Sequence, residues 1–336
     1  MGLGKVLISR NGAYGDMIHM SHLPRLLKDQ GWDFVGVSTG YKGKQILAQN
    51  PFVDRLHYFE AGTKIKMSLS YYNGRVRAIS QNYDKVINLL HSLEMNCLFL
   101  EQQNEYYQHI SMRRKMGQEN YYDIATDWAG YPELKGKYRG EVFFENKDIN
   151  IVEHDLLRPG RFKDKFKVML NLSGSNPHKI FLHAKDISKW ILDTYDDAVI
   201  FTTGDSSIEY LDVRGLGERV RSLVGKKGFR QVLLMAKYMD CVIGCESGIM
   251  CGASMWDVPT IQLMTCADIN NHCKYTTKDY SLQSPARCSP CYKGPYEYYG
   301  CPKRNDLPLC VYFDINKIKH QIERIYAEHY KMRKSS

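Results

Sequence analysis

The sequence predicts an α/β protein built from two doubly wound, mostly parallel sheets. Short apolar runs of strand length alternate with segments of helical period, and this alternation begins twice, at Lys5 and again at Val168. The chain has 336 residues, which suits about two domains. We therefore predict one domain over 1–155, a second over 156–314, and a closing helix with its tail over 315–336.

The first half begins with a buried strand at 5–9, followed by a turn and a helical segment whose apolar residues run from Met17 to Leu27. The elements predicted after it are strands at 34–38, 55–59 and 84–90, with a short helix around 44–49. The polar stretch 146–167, broken by Pro159 and Gly160, is typical of a connection between domains.

The second half repeats the pattern. Its predicted strands are 168–172, 198–203, 221–224, 241–244 and 260–263, and its predicted helices are 184–195, 229–238 and 247–256. A last periodic segment begins at 315, and the tail KMRKSS is predicted to be disordered. In such sheets, ligands bind at the carboxyl ends of the strands, so the loops after the strands are the candidate sites.

The turn NGAYGD after the first strand is one such loop. Gly12 and Gly15 lack the Cβ atoms that would block a close approach, and Asp16 falls where the helix begins. Asp16 is then either an N-cap or a carboxylate placed to take a proton, and the local residues alone favour the cap. The glycine spacing is not GxGxxG, so it does not indicate a dinucleotide fingerprint.

Two loops of the second half have anion-binding character. In LSGSNPHK the small residues Ser173, Gly174 and Ser175 follow a strand and Lys179 comes shortly after, a combination that suits a diphosphate. Lys179 could equally be an ordinary exposed lysine. Gly204 ends the next strand in the same way.

The second such corner is Cys245-Glu246-Ser247-Gly248, where a strand meets a helix N-terminus. Glu246 would repel a phosphate, so we expect it to face ribose or sugar hydroxyls, or to act as a capping carboxylate.

A formal net charge of +9 favours a polyanionic partner, which could be nucleic acid, an anionic membrane surface or a phosphorylated glycan. The basic residues interleave with Tyr71, Tyr72 and Tyr83, a pattern suited to an acceptor that bears phosphates or single-stranded bases. A solvated surface explains the pattern equally well. The candidate acceptor-binding residues are Lys64, Lys66, Arg75, Arg77, Arg113 and Arg114.

The sequence shows neither a secretory signal nor an apolar run of about 20 residues, so we expect a cytoplasmic protein. Its ten cysteines then indicate thiols or metal ligands more than disulfides. Cys97, Cys241, Cys245, Cys251, Cys266 and Cys273 are interpreted as small buried hydrophobes. The CxxC pair Cys288 and Cys291, with Cys301 and Cys310, predicts a structural zinc site, with four free thiols as the alternative.

Taken in order, these segments resemble the heptosyltransferase-type glycosyltransferases of family nine, which have the GT-B fold. The resemblance rests on VLISRNGAYGDMIHMSHLPRL, NPFVDRL, VMLNLSGSNPHK, FTTGDSSIEYL, MAKYMDCVIGCESGIMCGASMWDVPTIQL and the CSPC segment. It implies two Rossmann-like domains facing each other across a cleft. It also implies inverting transfer from a nucleotide-diphosphate sugar, held by the C-terminal half, to an acceptor on the N-terminal half.

The resemblance also assigns roles to residues. Asp16 matches the family's GD aspartate, a proposed general base, and Lys179 matches the lysine that holds the donor phosphates. Glu246, Ser247 and Gly248 match a donor-contacting motif, Gly15 is a further candidate donor-binding residue, and no catalytic metal is expected.

This chain departs from the family pattern at two positions, because Glu246 replaces an aspartate and Cys251 a histidine. The donor sugar therefore stays open. The acceptor could be a lipopolysaccharide-like glycan or a modified DNA base. The alternatives are a sugar-nucleotide epimerase or hydrolase of the same shape, and a non-catalytic nucleic-acid-binding module.

Overall fold

The computed structural model describes residues 2–59, 69–90, 107–157, 160, 162, 164–174, 176–204, 213–292 and 301–335. The chain divides into two compact units. The first unit is Met1–Cys97 with Glu119–Glu145, and the second is Leu98–Gln118 with Asn146–Ser336. The sequence-based division at 155 differs from this one, since it places 98–118 and 146–155 in the first domain.

The elements are numbered in chain order. The strands are β1 (Lys5–Ser9), β2 (Phe34–Thr39), β3 (Arg55–Tyr58), β4 (Lys85–Asn88), β5 (Phe166–Asn171), β6 (Ala198–Thr203), β7 (Val220–Ser222), β8 (Cys241–Cys245), β9 (Thr260–Met264), β10 (Leu282–Gln283), β11 (Lys303–Arg304) and β12 (Leu307–Pro308). The α-helices are α1 (Tyr14–Met20), α2 (Leu23–Asp29), α3 (Tyr41–Leu47), α4 (Leu69–Ser80), α5 (Ile110–Met116), α6 (Tyr121–Trp128), α7 (Asn146–Asn150), α8 (Ala184–Thr194), α9 (Phe229–Ala236), α10 (Gly248–Met255), α11 (Ile269–Cys273) and α12 (Ile315–Ser335).

The first unit contains a parallel sheet in the order β3-β2-β1-β4. β1 lies between β2 and β4, with Leu7 opposite Gly36 on one side and Val86 on the other. Val6, Leu7 and Ile8 of β1 are fully buried. A parallel strand that is buried on both faces requires such a continuous apolar run. The strand order is that of one half of a Rossmann fold.

The helical segment predicted after β1 is two helices rather than one. α1 ends at Met20, where the Ser21 N–H bonds to the Ile18 carbonyl, and α2 begins with Pro24 in its first turn. Proline fits a first turn, where no intrahelical N–H bond is required of it. The break leaves the apolar stripe intact, since Met17, Met20, Leu23 and Leu27 are all fully buried.

The second unit contains a six-stranded parallel sheet in the order β10-β9-β8-β5-β6-β7. Numbered from β5, this is the complete Rossmann strand order. The order of the strands changes direction between the neighbours β5 and β8. Its core packs buried residues of β5, β6 and β8 against α8 and α12. In α12, Ile318, Ile322 and Ile325 recur at helical spacing and belong to that core.

α12 continues to Ser335, so the prediction of a disordered tail over the last residues is wrong for 331–335. Helix-forming residues such as Lys331, Met332 and Arg333 let the helix run on past its buried stripe. None of the described helices combines the length and apolar character needed to cross a membrane.

Candidate functional site

The strand orders point to one edge of each sheet. In a doubly wound sheet the loops that leave two neighbouring strands in opposite directions open a crevice at the carboxyl ends of those strands. In the first unit that position lies between β1 and β4, and in the second between β5 and β8. The loops after these strands carry Asp16, Lys179 and Glu246.

In the first unit, Asp16 lies in the first turn of α1 and is held by two contacts. Its Oδ2 accepts the Ala13 backbone N–H at 2.7 Å and lies 3.3 Å from Arg10 Nη2. Arg10 is fully buried and also donates to the Leu89 carbonyl, which follows β4. The Asp16 side chain keeps 31% of its surface exposed, so the carboxylate is fixed in place and still reachable.

Asp16 is not the N-cap of α1. Ala13 is the N-cap, and Asp16 is the third helical residue, whose carboxylate reaches back to the cap N–H. The carboxylate therefore does cap the start of the helix, but it does so from the third helical position and not from the N-cap position that the sequence predicts. The turn also explains Gly12, because a Cβ there would lie 2.6 Å from Asp16 Oδ2. Gly15 is the second residue of α1.

In the second unit, the loop after β5 folds back on itself and delivers Lys179. The Gly174 N–H donates to the Lys179 carbonyl at 2.7 Å, and Ser173 pairs with Ile180 in an isolated antiparallel bridge. A Cβ on Gly174 would lie 2.7 Å from the Lys179 Cβ, so this close approach requires glycine. Ser175 lies outside the described residues.

Lys179 faces the corner after β8. Its Nζ lies 3.6 Å from Glu246 Oε1, and the Glu246 side chain is only 2% exposed. Ser247 is the N-cap of α10, and its Oγ accepts both the Met250 N–H and the Asn171 Nδ2–H. Gly248 is the first residue of that helix. The two loops that sequence reasoning singled out in this half thus lie together.

Burial alone would raise the pKa of Glu246, but the ammonium of Lys179 and the neighbouring histidines outweigh it, so the pKa lies below its ordinary value. Burial, reinforced by Lys179, lowers the pKa of His178 to about 4, which keeps the imidazole neutral at physiological pH. The corner therefore holds one buried carboxylate and one partly exposed ammonium side by side. Such a pair can offer positive charge to a phosphate and acceptor oxygens to a hydroxyl.

Gly204 follows β6, and its carbonyl accepts the Gly225 N–H at 3.0 Å. It lies at the same edge of the sheet as Lys179, because β6 pairs with β5 in parallel up to Thr203 opposite Asn171. No described contact joins Gly204 to Lys179 or Glu246.

The predicted basic surface is only partly present. Arg75 and Arg77 are exposed on α4, with the Arg75 guanidinium over the Phe59 ring. Tyr72, expected to stack on an acceptor, is instead 2% exposed and donates to the Ser38 carbonyl at 2.8 Å. Lys64 and Lys66 lie outside the described residues.

Arg113 is buried and Arg114 is half-buried, and both guanidinium groups donate to backbone carbonyls. Arg113 is 1% exposed and donates to the carbonyls of Cys291 and Tyr292. Arg114 donates to the carbonyls of Arg287, Ser289 and Pro290. Both guanidinium groups hold the CxxC loop against α5, so the prediction of a surface role is wrong for Arg113 because that side chain is buried, and the role of Arg114 stays a prediction.

Two cysteines of the quartet, Cys288 and Cys291, lie in that loop, and the other two flank a hairpin. β11 pairs with β12, and the Leu309 N–H donates to the Pro302 carbonyl, which brings Cys301 and Cys310 to the same end. Burial raises the pKa of Cys310, and the nearby thiols of Cys291, Cys301 and Cys288 raise it further. The described groups of metal-type side chains with donor atoms within 4.8 Å of one another do not include this quartet.

Two polar residues of the second unit were missed from the sequence. The sequence pattern predicts a small buried hydrophobe at Cys266 and assigns no role to His178 in its loop. In the structure, Cys266 Sγ donates to Glu246 Oε1 at 3.1 Å and lies 3.4 Å from His178 Nε2. The available signal was that each of these residues follows a strand.

No protein-family model matches the chain, and no curated protein sequence matches it. Solved structures do match along nearly its whole length. A family 9 glycosyl transferase from Veillonella parvula shares 13% identity over 97% of this chain and 98% of its own, with a TM-score of 0.69. The ADP-heptose lipopolysaccharide heptosyltransferase II of E. coli shares 12% identity over 97% and 99%, with a TM-score of 0.66.

A third match is TibC, a dodecameric iron-containing heptosyltransferase solved with ADP-D-β-D-heptose. It shares 12% identity over 98% of this chain and 78% of its own, with a TM-score of 0.60. At these identities the likeness establishes the fold. The chain therefore has the GT-B fold of the family 9 glycosyltransferases, made of two Rossmann-like units.

Proposed function

We propose that this chain is an inverting glycosyltransferase that moves a sugar from a nucleotide-diphosphate sugar to an acceptor hydroxyl. The observation that carries the proposal is the Lys179 and Glu246 pair at the strand-order reversal of the second unit. That edge is where a Rossmann-like sheet binds its ligand. The structures that share the fold include heptosyltransferases, one of them solved with ADP-heptose.

In this proposal the second unit binds the donor. The Lys179 ammonium contacts the diphosphate, and the small residues Ser173, Gly174 and Ser175 let their backbone approach it. Ser247 and Gly248 add the free N–H groups at the start of α10, where partial positive charge favours an anion. Glu246 and the turn at Gly204 serve the neutral hydroxyl-bearing part of the donor.

Asp16 of the first unit is the proposed general base. As the acceptor oxygen bonds to the anomeric carbon, the bond from that carbon to the diphosphate oxygen breaks. The acceptor proton moves to the Asp16 carboxylate, and Lys179 stabilises the charge on the departing diphosphate. The Asp16 contacts to Ala13 and Arg10 fix the carboxylate in one orientation.

The acceptor is proposed to be polyanionic, either a lipopolysaccharide-like glycan or a modified base in DNA. The net charge of +9 and the exposed Arg75 and Arg77 support this class. Lys64 and Lys66 remain candidates for the same surface.

We also propose that Cys288, Cys291, Cys301 and Cys310 hold a structural metal ion, which zinc or iron could supply. The support is the CxxC spacing of Cys288 and Cys291 and the hairpin that brings Cys301 and Cys310 to the same end, and TibC is an iron-containing neighbour in fold. Four thiolates suit either metal, so the element bound is decided by metal analysis of the purified protein.

The experiment that tests the function is a turnover screen with ADP-, GDP- and UDP-sugars, each offered with lipopolysaccharide core, with DNA carrying hydroxymethylated bases, or alone. Release of nucleoside diphosphate only with one donor and one acceptor together is the expected result. Release from the donor alone would indicate an epimerase or hydrolase. Salt-sensitive DNA binding without any turnover would indicate a nucleic-acid-binding module.

Lys179→Ala is expected to lose both donor binding and turnover. Lys226→Ala is its matched control, because Lys226 is an exposed lysine at the end of a different loop of the same unit. Equal turnover by the two variants would contradict the role given to Lys179.

A further inference from the structure

Three side chains of metal-binding type meet at the carboxyl edge of the second sheet. His178 follows β5, Glu246 follows β8 and Cys266 follows β9, and these three strands are neighbours in the sheet. The three donor atoms lie within 4.8 Å of one another, and all three residues are buried. They are distinct from the cysteine quartet, whose members lie in 288–310.

The distances suit a tetrahedral ion. Zinc binds sulfur at about 2.3 Å and nitrogen or oxygen at about 2.0–2.1 Å, so two ligand atoms on one tetrahedral ion lie about 3.5 Å apart. Cys266 Sγ lies 3.4 Å from His178 Nε2 and 3.1 Å from Glu246 Oε1. Only small shifts would let the three atoms share one ion.

The charges also suit a divalent cation. One carboxylate, one thiolate and one neutral imidazole together cancel two positive charges, and the mixture of oxygen, sulfur and nitrogen is typical of zinc. In the structure Glu246 Oε2 is buried and accepts no hydrogen bond from the described residues. A buried carboxylate oxygen that accepts no hydrogen bond costs folding free energy, and a bound cation would reduce that cost.

We propose that His178 Nε2, the Glu246 carboxylate and Cys266 Sγ form a binding site for a divalent zinc-type metal ion. Binding replaces the Cys266 S–H by an S–metal bond and releases that proton to solvent. The Glu246 carboxylate then neutralises charge on the metal, so the site changes from one negative charge to no net charge and attracts the Lys179 ammonium, 3.6 Å from Oε1, less strongly. Metal occupancy therefore weakens the pairing of Lys179 with its carboxylate partner.

The test counts metal in the full-length protein and does not depend on any transferase activity. The protein is stripped with a chelator, reloaded with zinc, freed of excess zinc and measured for zinc per chain. Cys266→Ala is expected to hold about one zinc fewer than the parent protein. Cys241→Ala is the matched control, because Cys241 is a fully buried cysteine of β8 outside the cluster, and it should hold as much zinc as the parent.

Zinc content is also measured for His178→Ala and Glu246→Gln, which remove the other two ligands. The proposal can then be tested even if Cys266→Ala does not fold. Each should weaken the zinc affinity by at least about tenfold in a competition titration with a chromophoric chelator. Unchanged zinc content in the folded variants would overturn the proposal and leave the three residues as a hydrogen-bonded cluster. Because the cysteine quartet is intact in all of them, any zinc bound there cancels in the comparison.

Discussion

The Lys179 ammonium lies 3.6 Å from the carboxylate of Glu246, a residue with only 2% of its side chain exposed. This pair joins the two loops that leave β5 and β8, and it makes the pKa of Glu246 lower than its ordinary value of 4.5 in spite of burial. A buried carboxylate with a depressed pKa ties the stability of the second unit to pH.

The sign of that dependence follows from linkage. Because the folded-state pKa is depressed, the ionised Glu246 contributes stability that is fully present above about pH 4.5 and is lost as pH falls through the folded pKa. Glu246→Gln should therefore be less stable than the parent by about 1–3 kcal/mol at pH 7. The difference should shrink below pH 4.5, in urea unfolding curves measured with chelator present.

Glu133→Gln serves as the control, since Glu133 is exposed and its substitution should change the stability at pH 7 by no more than about 0.5 kcal/mol. A Glu246→Gln deficit that stayed constant from pH 7 to pH 3.5 would show that the charge of Glu246 is not what stabilises the corner.

Asp16→Asn keeps the shape of the side chain and removes its ability to take a proton. If Asp16 is the general base, kcat should fall by about 10²–10⁴-fold while donor affinity stays within about twofold. Steady-state kinetics with a donor binding titration measure both quantities. Asp29→Asn, on α2 of the same unit, is the control. An Asp16→Asn enzyme that loses donor affinity and keeps kcat would contradict the assignment.

Gly12→Ala tests whether the position of the Asp16 carboxylate matters. The new methyl group would lie 2.6 Å from Asp16 Oδ2, so the carboxylate must move away from the Ala13 N–H. We expect at least a tenfold loss of kcat in a folded protein. In contrast, Gly74→Ala on α4 meets no atom within 4 Å and should leave activity unchanged and add up to about 1 kcal/mol of stability. Equal activity in the two variants would argue against a positional role for Gly12.

Arg113→Ala should destabilise the protein rather than weaken acceptor binding. The substitution removes the Arg113 hydrogen bonds to the buried Tyr292 carbonyl and the half-buried Cys291 carbonyl, at a cost of about 1–3 kcal/mol for the buried group and less for the other. Denaturant unfolding of Arg113→Ala and of Arg77→Ala, an exposed arginine, makes the comparison. The opposite pattern, with Arg77→Ala the less stable protein, would show that the Arg113 contacts contribute little.

Much of the fold could be read from the sequence because the strands of parallel sheets are buried on both faces. β6 was predicted at 198–203 and is found as Ala198–Thr203, since every residue in it is buried and apolar or small. Periodicity was less informative for α1 and α2, because the break at Ser21 leaves the apolar stripe continuous.

The pairing of Lys179 with Glu246 was accessible in part, since both were placed in loops after strands. The contact of Cys266 with Glu246 could not be predicted, because it depends on β9 lying beside β8. The order of strands in a sheet cannot be deduced from local sequence. The prediction that Arg113 is a surface residue was wrong for the same reason. Its partner Cys291 is 178 residues away, and nothing in the sequence near Arg113 indicates that it is buried.

The 178 residues between Arg113 and Cys291 determine when their contact can form during synthesis of the chain. α5 leaves the ribosome long before the CxxC loop that its arginines hold, and the first unit is completed by 119–145 in between. The second unit therefore contains a long-range contact that can close only after residues 288–291 have been made, which makes it slow to reach its final packing. A fragment that begins at 146 would lack α5 altogether. Such a fragment would lose the Arg113 and Arg114 hydrogen bonds to the CxxC loop, and α5 supplied as a separate peptide should raise its stability.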